Sequence, residues 1–538
     1  MRDAPEETKE TAEEDVPDFT VVGVGASAGG LEAFSQFTRA LPKEWTMPIV
    51  LVQHLSPEHE SLIPSLIQGT THLKAVQATE GMSIAPATIH VIPPNRSMEI
   101  DGGLLKLHPR PTGRAAFNPI DVFFRSLAHY ARHRSIGIVL SGTASDGALG
   151  LAEIKSQGGI TIAQKPETAK HDGMPRAAIA TGSVDMVLSP LEMANELAVF
   201  DRHPYLAFES PSAQSEGEIS DEALPPILNI LKKNTGVDFS QYKTATIKRR
   251  LQRRMLIHRL TKVDAYLAMI REKPEEAHRL YQDILIHVTR FFREPESFVV
   301  LQTQVFPEIF KDRKQDDAVR IWVPGCSTGE EAYSVAIVLL EYLGEDAGNV
   351  PIQVFATDVS EGSVEQARAG VYAEAIANDV SKEHLRRYFT HQNDKYRVQN
   401  SVRDLCIFAR QDLTRDPPFS KLDLIVCRNV LIYMGPSLQR RVLSVFQYAL
   451  KSGGFMMLGS AETVGLHADF FSVVDKRYRL YTKKDTRPPA GPMFPIDYGG
   501  RIEPLRTNRG EGDSRAGRGI HAEATRLLLE RYAPASIL

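Results

Sequence analysis

The chain has 538 residues, of which 42% are hydrophobic: material for sizeable cores and, by length, for about three or four domains. A formal net charge of −4 gives no electrostatic case for wholesale nucleic-acid binding. Three scattered cysteines (Cys326, Cys406, Cys427) make no disulfide framework, and the acidic opening MRDAPEETKETAEEDV has no apolar core, so the expectation is a cytoplasmic protein without signal peptide or membrane insertion.

Residues 1–17 read as a disordered acidic leader. From there to about residue 202, strand-like runs (TVVGVGAS, MPIVLVQH, ATIHVIPP, SIGIVLSG, GITIAQ) alternate with helical ones such as NPIDVFFRSLAHYARH, the pattern of a doubly wound parallel sheet. SMEIDGGLLKL interrupts it with a hairpin at DGG. The first run breaks into a strand-to-helix turn with Ser27 at its tip, where backbone N–H groups and the positive end of a helix face outward. Two readings compete there. Gly23, Gly25 and Ala28 fit the loose dinucleotide pattern G-x-G-x-x-A, and Ser27 suits a nucleophile held at a strand end.

A nucleophilic serine needs a base and an orienting acid. The run IVLVQH ends at His54, and SIGIVLSGTASDGALG turns at Asp146, so parallel strands would deliver all three to the rim where open α/β sheets bind ligands. The plain alternatives are a solvated loop histidine and an aspartate capping the helix GALGLAEIKSQ. The dinucleotide reading wants an acid near the end of the second strand, and the chain has Gln53 and His54 there.

Residues 203–218 read as a polar linker, and 219–293 as an all-helical stretch containing the basic KTATIKRRLQRRMLIHRL. A second α/β alternation fills 294–484 (VRIWVPGC, IQVFATD, LCIFARQD, LDLIVCRN, GGFMMLGS), with a small inserted subdomain at about 370–406 that has its own strand-like KYRVQ. Residues 485–518, rich in Pro, Gly and Arg, form another linker, and 519–538 begin a further segment. The fold class is thus α/β, with two doubly wound parallel-sheet domains.

In the second domain, Gly325 and Gly329 form a turn followed by Glu330 and Glu331, which suits a cationic or amine-bearing ligand better than a phosphate; a Walker loop is absent. The next strand ends in Asp358, where an acid can accept from ribose hydroxyls; the following ones end at Asp412 and at Arg428 and Asn429. This order resembles that of class I S-adenosylmethionine methyltransferases. DPPF at 416–419 imitates an amino-methylation motif, but it precedes the strand LDLIVC instead of following it and reads as a loop. The cluster Lys248, Arg249, Arg250, Arg253 and Arg254 by itself reads as a solvated face or an RNA-binding surface.

GVGASAGG, VQH, SGTASDGALG and DGMPRAAI together resemble the catalytic domain of the chemotaxis protein-glutamate methylesterases. The resemblance implies Ser27 as nucleophile, His54 as base and Asp146 as its partner, acting on glutamate methyl esters of chemoreceptors. Ala28 and Thr143 stand where that family often has Thr and Met, and the leader is too short for the receiver domain that usually precedes it, which implies different control. Over about residues 219–482, VTRFFRE, GCSTGEEAYS, FATD, the insert and CRNVLIY resemble the chemotaxis receptor-glutamate methyltransferases. That resemblance implies S-adenosylmethionine as donor, with contacts from His287, Thr289, Arg293, Glu331, Asp358, Asp412, Leu413, Arg428 and Asn429. His287 stands where the family commonly has Asn. The same resemblance implies that the basic cluster at 248–254 faces the active site and a negatively charged receptor.

A glutamate carboxylate, with pKa near ~4.3, needs positioning more than a base to attack a sulfonium methyl, and Arg250, Arg293 and Tyr433 are the candidates for that work. The expected function is a bifunctional enzyme that writes and erases methyl esters on methyl-accepting chemoreceptors, with no metal and no nucleic-acid partner. The alternatives are a signalling scaffold with degenerate sites and an RNA methyltransferase fused to a serine hydrolase.

Overall fold

The computed structural model describes residues 17, 19–54, 62–110, 118–201, 203, 205–206, 219–285, 288–311, 313, 317–392, 395–465 and 469–484. The expected leader, the linkers and the C-terminal segment lie wholly or mostly outside these residues, as does His287. The chain divides into two compact units, Met1–Ile230 with Ile247–Val288, and Leu231–Thr246 with Thr289–Leu538.

In the first unit, strands β1 (Val21–Ala26), β2 (Ile49–Gln53), β3 (Lys74–Gln77), β5 (Thr88–Val91), β8 (Ser135–Val139), β9 (Ile160–Gln164) and β10 (Met186–Leu188) form a parallel sheet in the order β10-β9-β8-β1-β2-β5-β3. A small antiparallel sheet joins β4 (Met82–Ser83), β6 (Arg96–Asp101) and β7 (Leu104–Pro109), and its hairpin turns at Gly102 and Gly103, both at positive φ. Every residue of β1 is buried, as a strand covered on both faces requires.

The glycines of β1 serve packing. A Cβ at Gly23 would lie 2.8 Å from Leu127 Cδ2, and one at Gly25 would overlap Ile120, both on the helix Pro119–Ala131. That helix lies directly on the strand because the two side chains are missing. The dinucleotide reading of the same glycines therefore loses its physical basis.

The helical segment expected at 219–293 is divided between the two compact units. From Ile247 on, the helix Thr244–Ile257, with Val263–Glu272 and Pro274–Ile284, clusters with the first unit. Leu256 joins that unit's core, and the Arg253 guanidinium, fully buried, bonds to Asp283 (2.6 Å), Asp185 and the carbonyl of Gly159 (3.0 Å). Gly159 and Asp185 precede β9 and β10, so this contact sits at the amino ends of the strands. Ser27 and His54 follow the carboxyl ends of β1 and β2, at the opposite edge.

In the second unit the order is β16-β12-β11-β17-β18-β20-β19: β11 (Val319–Pro324), β12 (Ile352–Asp358), β16 (Cys406–Arg410), β17 (Leu422–Cys427) and β18 (Leu450–Leu458) run parallel, and β20 (Leu480–Lys483) and β19 (Phe471–Asp475) return antiparallel. The insert forms its own antiparallel sheet from β13 (Val371–Ala373), β14 (Phe389–Gln392) and β15 (Lys395–Val398). DPPF is a loop before β17, with Phe419 stacked on Phe355 at 4.4 Å. Among the described residues, no helix is long and apolar enough to cross a membrane, and no group of three or more His, Cys, Asp or Glu is arranged to hold a metal ion.

Candidate functional site

The first unit brings Ser27, His54 and Asp146 into one hydrogen-bonded chain at the carboxyl edge of the sheet. Ser27 Oγ lies 3.3 Å from His54 Nδ1, and His54 Nε2 lies 2.8 Å from Asp146 Oδ2. An ionised carboxylate only accepts, so the proton of the imidazole sits on Nε2, and the Nδ1 lone pair faces the serine hydroxyl. Asp146 is buried and also accepts the N–H groups of Ile120 (3.0 Å) and Asp121 (2.9 Å). It does act at a helix start, but that of Pro119–Ala131; the helix Ala148–Ser156 that follows it in sequence has no side-chain cap. Those two donors aim and stabilise the carboxylate that orients His54.

The serine turn is equally constrained. Ser27 N donates to Ser141 O (3.0 Å), and the Ser141 hydroxyl donates to Ala28 O (2.9 Å). Among the described residues, the N–H groups of Ala28 and Gly29 meet no protein acceptor, and the helix Gly30–Arg39 has no side-chain cap. Two backbone donors and a helix N-terminus therefore stand beside the hydroxyl, as an oxyanion requires. A Cβ at Gly142 would lie 2.8 Å from Ser27 Cβ and overlap Met174, so the strand-end turn tolerates no side chain there.

In the second unit, Gly325 and Gly329 are both at positive φ, and the turn between them leads from β11 into the helix Glu330–Leu343. Asp358, ending β12, accepts the N–H groups of Ser327 and Ser360 (both 2.9 Å). Arg428, beyond β17, forks onto Glu331 (2.8 and 3.1 Å) and Glu294 (2.9 Å). Asp412 Oδ1 holds its own turn through Thr414 N (2.9 Å) and Oγ1 (2.6 Å), and Leu413 packs on the core beneath. Thr289, Arg293 and Tyr433 are half-buried, and Arg293 pairs with no described group. Asn429 sits at φ 60.

Arg250 departs from expectation. It is 1% exposed and clusters with the first unit, where its guanidinium donates to the carbonyls of Lys155 (2.9 Å) and Ser156. Both terminal nitrogens donate to a helix C-terminus, and burial keeps the guanidinium from a substrate carboxylate. Arg253 and Arg254 are likewise committed to Asp185, Asp283 and Glu276. Three of the five cations in the basic run, Arg250, Arg253 and Arg254, are thus committed within the protein.

Sequence reasoning missed Glu462, and it placed Glu330 beside the glycine turn without anticipating its burial. Glu330 has Thr328 Oγ1 as its donor at 2.6 Å, and burial pushes its carboxyl up to about 7. Burial likewise pushes the thiols of Cys326, Cys406 and Cys427 up, so none is poised as a thiolate. An acid directly following a glycine turn, and an acid after the apolar strand GGFMMLGS, were the available signals.

The first unit is a parallel α/β sheet with a Ser-His-Asp chain at its carboxyl edge, and the second has the strand order β16-β12-β11-β17-β18-β20-β19. Residues 22–197 match the CheB methylesterase family, 222–285 the all-alpha domain of CheR methyltransferase, and 287–480 its SAM binding domain. The chain is 32% identical over 256 residues to "Putative methyltransferase Cher3" of Pseudomonas putida, covering 46% of this chain and 91% of that one. It is 33% identical over 190 residues to "Chemotaxis protein methyltransferase 1" of Vibrio cholerae, covering 35% and 68%. An uncharacterised 104.1 kDa protein of Rhodobacter capsulatus is 36% identical over 449 residues, 80% of this chain, which spans only 47% of that relative. The chain belongs to the CheR chemotaxis methyltransferase family, fused to a CheB methylesterase domain, and S-adenosylmethionine is the cofactor of its transferase half.

Proposed function

We propose that the whole chain methylates glutamate side chains of methyl-accepting chemoreceptors and hydrolyses the resulting esters, in the cytoplasm. The observation that carries this reading is the pairing in one chain of the Ser27–His54–Asp146 hydrogen-bonded chain with a SAM binding domain. One half removes the group the other half adds.

In the esterase, His54 Nδ1 takes the Ser27 proton as Oγ bonds to the ester carbonyl carbon, and the oxyanion faces the N–H groups of Ala28 and Gly29. The protonated imidazole then returns its proton to the departing methoxide, which leaves as methanol. Water, deprotonated by His54, cleaves the acyl-serine and restores glutamate and the serine hydroxyl. Asp146 holds the Nε2–H throughout.

In the transferase, the acids beside the glycine turn suit the amine and sulfonium of the donor, and the Asp358 carboxylate suits its ribose. Thr289, Arg293, Glu331, Asp358, Asp412, Leu413, Arg428 and Asn429 would hold S-adenosylmethionine, which supplies an electrophilic methyl. His287 is kept in the same role as an expectation. Arg293, whose guanidinium pairs with no group among the described residues, is assigned to the substrate carboxylate, with Tyr433 as a second donor; Arg250 drops out for the reasons above.

The test is a labelled-methyl cycle on receptor-containing membranes. Ser27→Ala is expected to accumulate ester and release no methanol, and Arg293→Ala to form no ester. Equal ester accumulation by the two variants would sink the assignment. A wild-type chain that binds donor yet neither transfers nor releases methyl would establish a scaffold instead.

A further inference from the structure

The loop Arg428–Tyr433 carries three of the residues assigned to the donor and substrate, yet its first four N–H groups after Arg428 have no partner in a preceding helix or strand. All four turn onto one side chain. Glu462, 3% exposed and placed just after β18, accepts Val430 N (2.8 Å), Leu431 N (2.6 Å) and Ile432 N (3.3 Å) at Oε1. Its Oε2 accepts Asn429 N (3.0 Å) and Gly459 N (2.6 Å). One carboxylate thus replaces the carbonyls that a helix would supply to orphan N–H groups.

The surroundings are shaped for this arrangement. A Cβ at Gly459 would lie 2.8 Å from Glu462 Oε2 and 2.9 Å from Asn429 N, so the strand end is kept bare beneath the carboxylate. The loop reaches the donor turn in two ways. Val430 packs where a side chain on Gly325 would be, and Arg428 forks onto Glu331 and Glu294. A shift of the loop would therefore move the glycine turn's back wall, the Glu331 carboxylate and Asn429 together.

We propose that Glu462 is the positioning residue of the methyl-donor site: its carboxylate gathers the N–H groups of Asn429 to Ile432 and so sets donor affinity. The proposal rests on the S-adenosylmethionine reading of this unit. Glutamine cannot substitute, because its NH₂ group would meet the N–H donors of Asn429 and Gly459, whereas aspartate keeps both acceptors on a shorter stem.

The test uses the full chain, with S-adenosylhomocysteine binding followed by calorimetry and methanol release assayed in parallel. Glu462→Gln is expected to weaken binding by about 10-fold or more and raise the donor KM, with methanol release and the second unit's melting transition retained. Glu462→Asp should recover part of the loss, and Gly459→Ala should reproduce the weakening. Glu462→Gln binding within about twofold of wild type would overturn the proposal. So would a second unit that no longer folds in either variant, or a lower melting temperature with donor KM unchanged, since both mark a purely structural role. Wild-type chain that binds no S-adenosylhomocysteine removes the donor reading itself and the proposal with it.

Discussion

At Asp146 two functions share four lone-pair sites: the carboxylate orients His54 and satisfies two N–H groups at the start of Pro119–Ala131. Asp146→Asn keeps one acceptor but presents NH₂ on the other side, which inverts the imidazole tautomer. Methanol release should fall by about 10²–10⁴-fold, with a modest drop in melting temperature from the lost helix-end contact. Gly142→Ala tests the neighbouring constraint. Its Cβ would press on Ser27 and Met174, and a nucleophile displaced by ~1 Å should lose about 10²-fold in methanol release with circular dichroism unchanged. Ser27, His54 and Asp146 were legible because each ends an apolar run in a turn. Arg250 was not, because a guanidinium on a basic helix looks the same in sequence whether it meets solvent, a substrate or a helix C-terminus.

Among elements, the helix Thr244–Ile257 changed its meaning most. Its cationic residues read as a solvated or partner-binding face, whereas Arg253 is buried between Asp185 and Asp283, with Lys155 Nζ also 3.3 Å from Asp185. Arg253→Ala removes the hydrogen-bonded cation of two buried carboxylates and leaves them, among the described cations, only the longer contacts of Lys155 and Arg254, and denaturant unfolding of the first unit should show a loss of about 3–5 kcal/mol. Arg259→Ala, removing an ion pair with Glu196 from a largely exposed arginine, should cost under about 1 kcal/mol in the same assay. The hairpin at DGG and the strand KYRVQ were legible from turn chemistry and alternation. The strands β3, β10, β19 and β20 were not, being short or at sheet edges, where pairing partners decide the conformation.

On the scale of the whole molecule, the esterase edge of the first sheet and its Arg253 contact are at opposite ends of the strands. In the second unit, pH is expected to act through Glu330, whose folded carboxyl is pushed up to about 7 by burial. The folded state then holds a proton that the unfolded chain has released. Stability from this group is complete at acid pH, declines once pH exceeds the unfolded value near ~4.5, and is lost by the time pH has passed about 7. The difference is on the order of 3 kcal/mol, and Glu330→Gln should remove that slope from unfolding curves recorded between these values. An unchanged slope in Glu330→Gln would show that another group titrates.

By itself the sequence determined both sheets, the serine turn, the glycine turn and the acids and bases at strand ends, because periodicity and turn residues act locally and parallel strands leave their carboxyl ends on one edge. Only the tertiary structure decided what each charged side chain faces. It turned the glycines of β1 toward a helix, spent Arg250 and Arg253 on packing, sent Asp146 to a distant helix start, and placed Glu462 under the loop that bears Arg428. The reason is that burial and hydrogen-bond partners are set by chain segments tens to more than a hundred residues apart, and no local pattern records them.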